Sequence, residues 1–282
     1  MITKANEMRR DSSPKMSSQS GFVLIIVLWY IVLLSFIITH VTASGKMELR
    51  IANNLLANTV AREAADGAIF QTIFRQSAMR PEQRWVADGS LHEIVLGETR
   101  INVKLEDEAC WINPNSASPA LVEALLRATG SDSATASKLA IAISEWTGTV
   151  SVARPRATVM EDYQNAGLDY GPPGEAMETL DELGQVLGMT PPVLASLRPH
   201  LTLFGPPEPS PTSADAYVAI ALAEAKTQSG GSLGQPPPDV FTTRITAIGH
   251  GPREASVTRA AIVRFGAVLP NGYAILAWGD GF

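Results

Sequence analysis

The 282-residue sequence is poor in the side chains that build disulfides, metal centres and catalytic sites. Its one cysteine, Cys110, excludes an internal disulfide; we expect a small packed side chain there, with an intermolecular bridge as the alternative. The four histidines lack zinc-ligand spacing and lie far apart, at His40, His92, His200 and His250. The sequence contains neither a Walker loop nor a G-x-S-x-G motif. We therefore expect no catalytic residues and no enzyme, the alternative being a Ser-His-Asp site assembled only in space.

Charge is absent from a long stretch near the amino end. Between Phe22 and Ile38 no side chain is charged and only Ser35 is polar. As a helix that rises about 1.5 Å per residue, residues 22–42 span roughly the 30 Å hydrocarbon core of a bilayer. The sequence therefore predicts a membrane segment at 22–42, either a lasting membrane helix or part of an export signal.

The flanks of this apolar segment predict its orientation and its processing. The residues before it carry more basic than acidic side chains: Lys4, Arg9, Arg10 and Lys15 against Glu7 and Asp11. This excess keeps the amino end in the cytoplasm and places the rest of the chain across the membrane. Two cleavage positions fit: after Val41-Thr42-Ala43, as in secretory signals, or between Gly21 and Phe22, as in prepilin-type signals that keep the apolar segment. We favour the second, with residues 1–21 as the leader peptide.

Positive charge is scarce in the rest of the chain. The whole sequence has 22 Lys and Arg against 28 Asp and Glu, and loss of the basic leader would make the balance more acidic. Asn113-Pro114-Asn115-Ser116-Ala117 faintly resembles the start of a helix-hairpin-helix DNA module, but that module approaches phosphates with basic flanks. Because residues 110–205 are acidic, we expect no nucleic-acid partner.

Helical periodicity continues beyond the apolar segment. Small and apolar residues recur at every fourth position in two neighbouring rows, Leu56, Val60, Ala64 and Ala68, and Ala61, Ala65, Ile69 and Ile73. Polar residues such as Arg62 and Asp66 take the other side, and Pro81 ends the pattern. We predict one long helix over 22–80, whose second half covers a soluble domain.

Alternation of apolar and polar residues predicts strands in two separate parts of the chain. Residues 91–96 and 101–105 are joined by a Gly97-Glu98 turn, which is typical of a hairpin with one buried face. The pattern returns in three places. These are Phe241 to Ile245, the residues that follow the Gly249-His250-Gly251-Pro252 turn, and Tyr273 to Trp278. We assign 81–109 and 239–282 to the two parts of one antiparallel sheet.

Helix signals dominate the region between these strands. Ser118 and Pro119 suit an N-cap and first helical residue, Ser133 to Trp146 predict a second helix, and Thr179 with Glu182 has capping-box spacing. Thr190-Pro191-Pro192 begins another helix. We predict an inserted all-α domain at 110–205, a linker and helix at 206–238, and an α+β fold overall.

The carboxylates Glu161, Asp162 and Asp169 are the candidate metal ligands. They lie in a stretch rich in Gly and Pro that we expect to be irregular. Calcium prefers six to eight oxygen ligands on such loops, whereas a solvated acidic loop would give the same composition. We expect no required cofactor and leave both interpretations open.

A series of motifs in fixed order resembles general secretion pathway protein K, the large minor pseudopilin family of the type II secretion system. The motifs are Gly21-Phe22, Asp107-Glu108-Ala109, Ile112-Asn113-Pro114-Asn115, Glu161-Asp162-Tyr163, Thr179-Leu180-Asp181-Glu182-Leu183, Gly188-Met189-Thr190, Leu201-Thr202-Leu203 and Leu276-Ala277-Trp278. The resemblance implies a pilin-like fold with a long N-terminal helix against an antiparallel sheet. It also implies cleavage by a prepilin peptidase before Phe22, with methylation of that residue.

The resemblance further implies a structural role at the tip of a short periplasmic filament. The expected partners are I-type and J-type minor pseudopilins, other pseudopilins and the inner-membrane secretion platform, with the bulk of this single-pass inner-membrane protein in the periplasm. The alternatives are a membrane-anchored periplasmic binding module of helix-hairpin-helix type or a periplasmic hydrolase.

Three positions depart from the family pattern. Ile26, the fifth residue after the expected cut, stands where most pilin-like subunits carry glutamate, and Cys110 replaces a glycine. An acidic D-W-x-D-x-D stretch is replaced by Glu145-Trp146-Thr147-Gly148-Thr149-Val150. The last change removes two carboxylates, which puts in doubt the calcium binding that the family pattern would suggest there.

Overall fold

The computed structural model describes residues 19–78, 80–97, 99–149, 154–211, 214–229 and 240–281. The chain divides into two compact units, Met1–Leu56 and Ala57–Phe282. Most of the predicted leader and most of the linker after residue 229 lie outside the described residues. The domain boundaries drawn from the sequence therefore stay predictions.

Helix α1 extends from Gln19 to Gln76, which confirms the long N-terminal helix and moves its end a few residues before the predicted limit. Between residues 21 and 41 every side chain is exposed. This apolar part is long enough to cross a membrane. We conclude that it is a candidate membrane anchor.

Five antiparallel strands form one sheet with neighbours in chain order. The strands are β1 (Asp88–Leu96), β2 (Thr99–Asp107), β3 (Val240–His250), β4 (Ser256–Gly266) and β5 (Tyr273–Gly279). Gly97 turns the predicted hairpin with a φ of +61°, a backbone conformation that glycine adopts without steric cost. Both predicted groups of strands are confirmed, and they join edge to edge as β2 beside β3.

Within the unit Ala57–Phe282, one face of the sheet forms a core with α1. Ala65, Ala68, Ile69 and Ile73 of α1 are buried in one cluster with sheet residues Ile101, Val103, Leu105, Ile245, Ala261 and Val263. The row that begins at Ala61 is thus the buried one. The prediction that the row beginning at Leu56 also packs against the domain was only partly right, because Leu56 and Val60 are exposed.

The helices between β2 and β3 form a second core. They are α2 (Pro119–Ala128), α3 (Ser133–Thr147), α4 (Arg156–Asn165), α5 (Pro191–Leu197) and α6 (Ala216–Ser229). Ser118 caps α2, since its hydroxyl accepts a hydrogen bond from the Leu121 amide at 3.3 Å. The core includes Leu125, Ile143 and Tyr163 and extends to Leu222 of α6. The inserted all-α part and the α+β class are confirmed.

Two local predictions need correction. Residues 156–165 form α4, so Glu161 and Asp162 lie on a regular helix and not on an irregular loop. The segment after Thr179 forms a 3-10 turn over Leu180–Gln185, where the Glu182 carboxylate accepts a hydrogen bond from the Thr179 amide at 2.9 Å. The capping-box spacing was therefore right, but it begins a 3-10 turn and not an α-helix.

Candidate assembly surfaces

The residues predicted for processing lie in the first turns of α1. Phe22 is exposed, and no atom lies within 4 Å of the place that a Cβ at Gly21 would take. Ile26 is 40% exposed on the same apolar helix. Cleavage, methylation and the role of Ile26 stay predictions.

The outward side of α1 carries an exposed apolar surface. Val60, Phe70 and Phe74 expose 37%, 52% and 83% of their surface. At 3.6 residues per turn, Val60 and Phe74 are roughly four whole turns apart and share one side of the helix. The buried Ala65 is roughly two and a half turns from Phe74, on the opposite side. Helix α1 thus has two apolar sides, of which one is buried against the sheet and the other is largely exposed. We call Val60, Phe70 and Phe74 the outer face of α1.

An ion-pair cluster fixes the edge of the sheet beside this face. The Phe70 ring lies 5.2 Å from the Trp278 ring of β5. Arg259 of β4 donates from Nε to Asp66 Oδ1 of α1 at 2.7 Å and also pairs with Asp280. The hydrogen bond to Asp66 raises the pKa of Arg259, and the bond from Arg259 lowers the pKa of Asp280. Helix, β4 and the end of β5 are thereby held in register beneath the aromatic pair.

A buried ion pair marks the point where the chain leaves the sheet for the helices. The Glu108 side chain is fully buried, and its Oε1 accepts a hydrogen bond from Arg244 Nε of β3 at 2.8 Å. The Thr202 hydroxyl donates to the other carboxylate oxygen. The Arg244 guanidinium lies 4.8 Å from the centre of the Trp111 ring. Both oxygens of this buried carboxylate therefore have donors, as a buried charge requires.

The segments that enter and leave the helical part run side by side at this point. The Ile112 amide donates to the His200 carbonyl at 3.0 Å, and the Thr202 amide donates to the Ile112 carbonyl at 2.9 Å. Asn113 Nδ2 donates to the Gly205 carbonyl at 2.9 Å. We call residues 107–113 and 200–205 the neck. The motifs that begin at Asp107, Ile112 and Leu201 thus meet in space.

Two other motifs serve the packing of the helical part. The Asn115 side chain bonds both the carbonyl and the amide of Met177, at 2.9 and 2.8 Å. Tyr163 is buried, and its hydroxyl accepts a hydrogen bond from the Leu187 amide at 3.0 Å. Burial raises the pKa of the Tyr163 phenol. Asn115 and Tyr163 therefore stabilise the packing of the helical part through internal hydrogen bonds.

The candidate calcium ligands do not converge. Glu161 and Asp169 are exposed, and the Asp162 carboxylate pairs with Arg154. Within the described ranges no three acidic, histidine or cysteine side chains are grouped to hold a metal ion. The cluster predicted from sequence proximity is therefore not brought together, because successive residues of α4 point about 100° apart.

A histidine–carboxylate pair was missed in the sequence. His200 Nδ1 lies 2.5 Å from Asp215 Oδ2, and the Tyr217 ring lies 4.7 Å from the His200 ring. The other oxygen of Asp215 accepts a hydrogen bond from the Val218 amide in the first turn of α6 at 2.8 Å. The pair joins the neck to α6. The sequence could have indicated Asp215 as the N-cap of α6. Its pairing with His200 depends on how the chain folds and could not be predicted from the sequence.

The chain is similar to known proteins in both sequence and fold. The family model described as Type II secretion system (T2SS), protein K, matches residues 99–207, which include the neck and four of the five inserted helices. A chain in the crystal structure of the GspK-GspI-GspJ complex from the enterotoxigenic Escherichia coli Type 2 Secretion System matches with a TM-score of 0.51 and 14% identity, over 84% of this chain and 99% of that one. No curated protein matches the chain significantly.

The shared fold confirms the pilin-like α+β architecture that the motifs implied. The matched region begins at Thr99, at the start of β2, and ends at Pro207, just beyond the neck. Residues 99–207 of this chain are thus a type II secretion system protein K domain, which confirms the resemblance to general secretion pathway protein K.

Proposed function

We propose that the chain is a structural minor pseudopilin that initiates assembly at the tip of the type II secretion pseudopilus and has no activity on a substrate. A prepilin peptidase cuts before Phe22, and the apolar part of α1 holds the subunit in the inner membrane with the rest in the periplasm. The protein K domain at 99–207 supports the secretion role.

The observation that carries this proposal is the outer face of α1. Exposed apolar surface of this kind, concentrated on one side of an element, is typical of protein interaction sites. Phe74 alone leaves 83% of a large aromatic side chain in water, although the opposite side of the same helix is fully packed. The long helix therefore has a second helix- or sheet-binding side available for another subunit.

The proposed occupants of this face are the I-type and J-type minor pseudopilins. The structurally similar chain was solved in a complex of that composition. The other pseudopilins and the secretion platform are expected to meet the growing filament below the tip.

The neck argues against the nucleic-acid-binding alternative. In the segment that faintly resembles a helix-hairpin-helix start, Asn113 and Asn115 bond main-chain groups of Gly205 and Met177. These amides are therefore committed to internal contacts, and the acidic balance of the chain disfavours phosphate.

Binding to the two partners tests the proposal. The chain from Lys46 onward keeps both hydrophobic cores of the second unit and should fold without the membrane segment. It should co-purify with the soluble domains of the I-type and J-type proteins. Phe74→Ser should weaken that binding about tenfold or more, as expected for an aromatic at the centre of an interface.

A matched control is Val268→Ser in the loop between β4 and β5. Val268 is 86% exposed, and its change should leave binding unaltered. A wild-type chain that binds neither partner would contradict the assembly function. Equal binding by wild type and Phe74→Ser would place the interface elsewhere.

A further inference from the structure

We propose that the Arg154 guanidinium bridges Glu145 of α3 and Asp162 of α4, in the place that a divalent metal would have between these carboxylates. The helical part then folds without calcium. This inference concerns the stability of the protein and stands apart from the partners proposed above. The acidic composition suggested that calcium balances the carboxylates of this region, whereas the proposal assigns that role to an arginine.

The first observation is the burial of Glu145 near the end of α3. Its side chain is only 7% exposed, and the Asp162 carboxylate is close enough to contribute to the raised pKa of Glu145. Burial raises the pKa of the Glu145 carboxyl, and the Arg154 charge opposes that rise. A carboxylate in such a place needs a positive partner, because an unpaired charge in low dielectric is strongly unfavourable.

The second observation is that Arg154 supplies this partner to two helices at once. Its Nη1 lies 3.2 Å from Glu145 Oε1 of α3, and its Nη2 donates to Asp162 Oδ2 of α4. The two nitrogens of one planar group thereby bond two carboxylates from different helices. A bridging ion between the two carboxylates would occupy the same position.

The third observation is that the two hydroxyls that follow Glu145 in sequence contact other parts of the helical core. Thr147 Oγ1 donates to the Ile143 carbonyl at 3.1 Å, and the Thr147 and Thr149 hydroxyls bond each other. Thr149 Oγ1 also contacts the Asn115 carbonyl at 3.4 Å. Calcium takes six to eight oxygen ligands, whereas the structure brings only the Glu145 and Asp162 carboxylates to Arg154.

The fourth observation excludes an acidic side chain at position 148. Gly148 ends α3 with a φ of +65°, a conformation that favours glycine. A Cβ at this position would lie 2.5 Å from the Gly174 carbonyl oxygen. The Gly174 amide in turn donates to the Trp146 carbonyl at 3.1 Å, which holds that segment against the end of the helix. The backbone therefore closes the space that a further carboxylate ligand would need.

Thermal unfolding of the full-length chain in detergent micelles tests the calcium part of the proposal. The wild-type melting temperature should be the same with calcium chloride, with magnesium chloride and with a chelator. A ligand that binds only the folded state would raise it by mass action. A rise with calcium that magnesium does not reproduce would overturn the proposal.

Variants of Arg154 test the role of the guanidinium. Arg154→Met leaves Glu145 buried without its partner and should lower the melting temperature by about 3 to 6 °C. The control is Arg198→Met, which removes an exposed pair with Asp181 at 2.5 Å and should change it by less than about 1 °C. The double variant Arg154→Met with Glu145→Gln removes the buried charge together with its partner and should recover most of the loss.

The double variant also keeps the proposal falsifiable if Arg154→Met does not fold. It should then still fold and melt near the wild-type temperature. A double variant that fails to fold, or an Arg154→Met loss no greater than that of Arg198→Met, would show that Arg154 does not hold α3 to α4.

Discussion

Gly249 of β3 lies directly beneath Ala61 of α1, so close that a Cβ at position 249 would collide with the Ala61 carbonyl oxygen. Two positions further along the chain, a Cβ at Gly251 would come within 2.8 Å of the Ala57 carbonyl oxygen. The alanines of α1, together with Gly249 in β3 and Gly251 just beyond its end, therefore let the helix and sheet backbones approach closely. This contact sets how the second half of α1 packs against the sheet.

The first prediction is that Gly249→Ala destabilises the fold. The new methyl group meets backbone, which has less freedom to move than a side chain, so we expect a loss of about 1–3 kcal/mol in the free energy of unfolding. Chemical denaturation of the chain from Lys46 onward measures it. Gly184→Ala is the matched control, since a Cβ there meets only Leu194 Cδ2 at an ordinary 3.6 Å. Equal stability of the two variants would contradict the close approach.

The second prediction concerns the neck. Arg244→Met leaves the fully buried Glu108 without its cation and should cost about 3–5 kcal/mol of unfolding free energy, because an uncompensated buried charge is left behind. Denaturant unfolding measures the loss. Glu108→Gln combined with Arg244→Met should recover part of it.

The control for the neck is Arg100→Met, which removes an exposed pair with Glu93 at 3.9 Å and should cost well under 1 kcal/mol. If Arg244→Met costs no more than this control, the buried pair does not join the sheet to the helical part.

Local patterns predicted most of the fold. The alternation in residues 101–105, the Gly97 turn and the Ser118 cap each depend on a few adjacent residues, and each is found in the structure. The two apolar rows on α1 were visible as well. The prediction that both rows are buried was only half right, because an exposed apolar row has the same spacing as a buried one.

Long-range pairs could not be predicted in this way. Glu108 and Arg244 lie 136 positions apart, and no local pattern links them. The acidic residues show a related limit, because closeness in sequence does not predict that side chains converge. Glu161 and Asp162 are adjacent in sequence yet project from a helix in different directions. Asp162 meets the cation Arg154, and no local pattern distinguishes this residue from Arg156 two positions later.

The third prediction is a pH dependence that arises from Glu145. Burial raises the pKa of this carboxyl above its ordinary value of 4.5. The Asp162 charge acts in the same direction, and the Arg154 charge opposes the rise. The folded state then binds the proton more tightly than the unfolded state, so stability falls as the pH rises through the window above 4.5.

Glu145→Gln cannot ionise and should lack this decline, so its melting temperature should gain on the wild type between about pH 4.5 and neutrality. Melting curves over that range measure the difference. Glu161→Gln, which changes an exposed side chain of α4, should follow the wild type. A wild type that gains on Glu145→Gln as the pH rises would contradict the sign.

The fourth prediction is cleavage between Gly21 and Phe22. Mass spectrometry of the membrane-inserted protein should find a mature chain that begins with methylated Phe22, and only the uncut chain in cells without prepilin peptidase. Gly21→Leu should block the cut, because a bulky side chain would stand beside the bond to be broken. A mature chain beginning at Ser44, after Val41-Thr42-Ala43, would exclude the filament interpretation.

The fifth prediction concerns Ile26, the fifth residue of the expected mature chain. If the helices of a pilin-like filament pack into an apolar bundle, each free amino terminus is a positive charge among aliphatic side chains, which costs several kcal/mol without a partner. The glutamate usual in pilin-like subunits would neutralise the amine of a neighbouring subunit. Between Phe22 and Val41 this chain has no acidic residue to offer.

A subunit repeated along the filament would suffer this loss at every step, whereas the first subunit has no earlier amine to neutralise. We therefore expect Ile26→Glu to give no gain in assembly, with secretion equal to or below that of the wild type. Ile25→Glu, one position earlier on the same apolar helix, is the control for the cost of a buried acid. Quantitative labelling should find a few copies of the native protein per filament, at one end. Stoichiometric labelling along the whole filament would contradict the tip position, because the missing acid would then have to be tolerated in every layer.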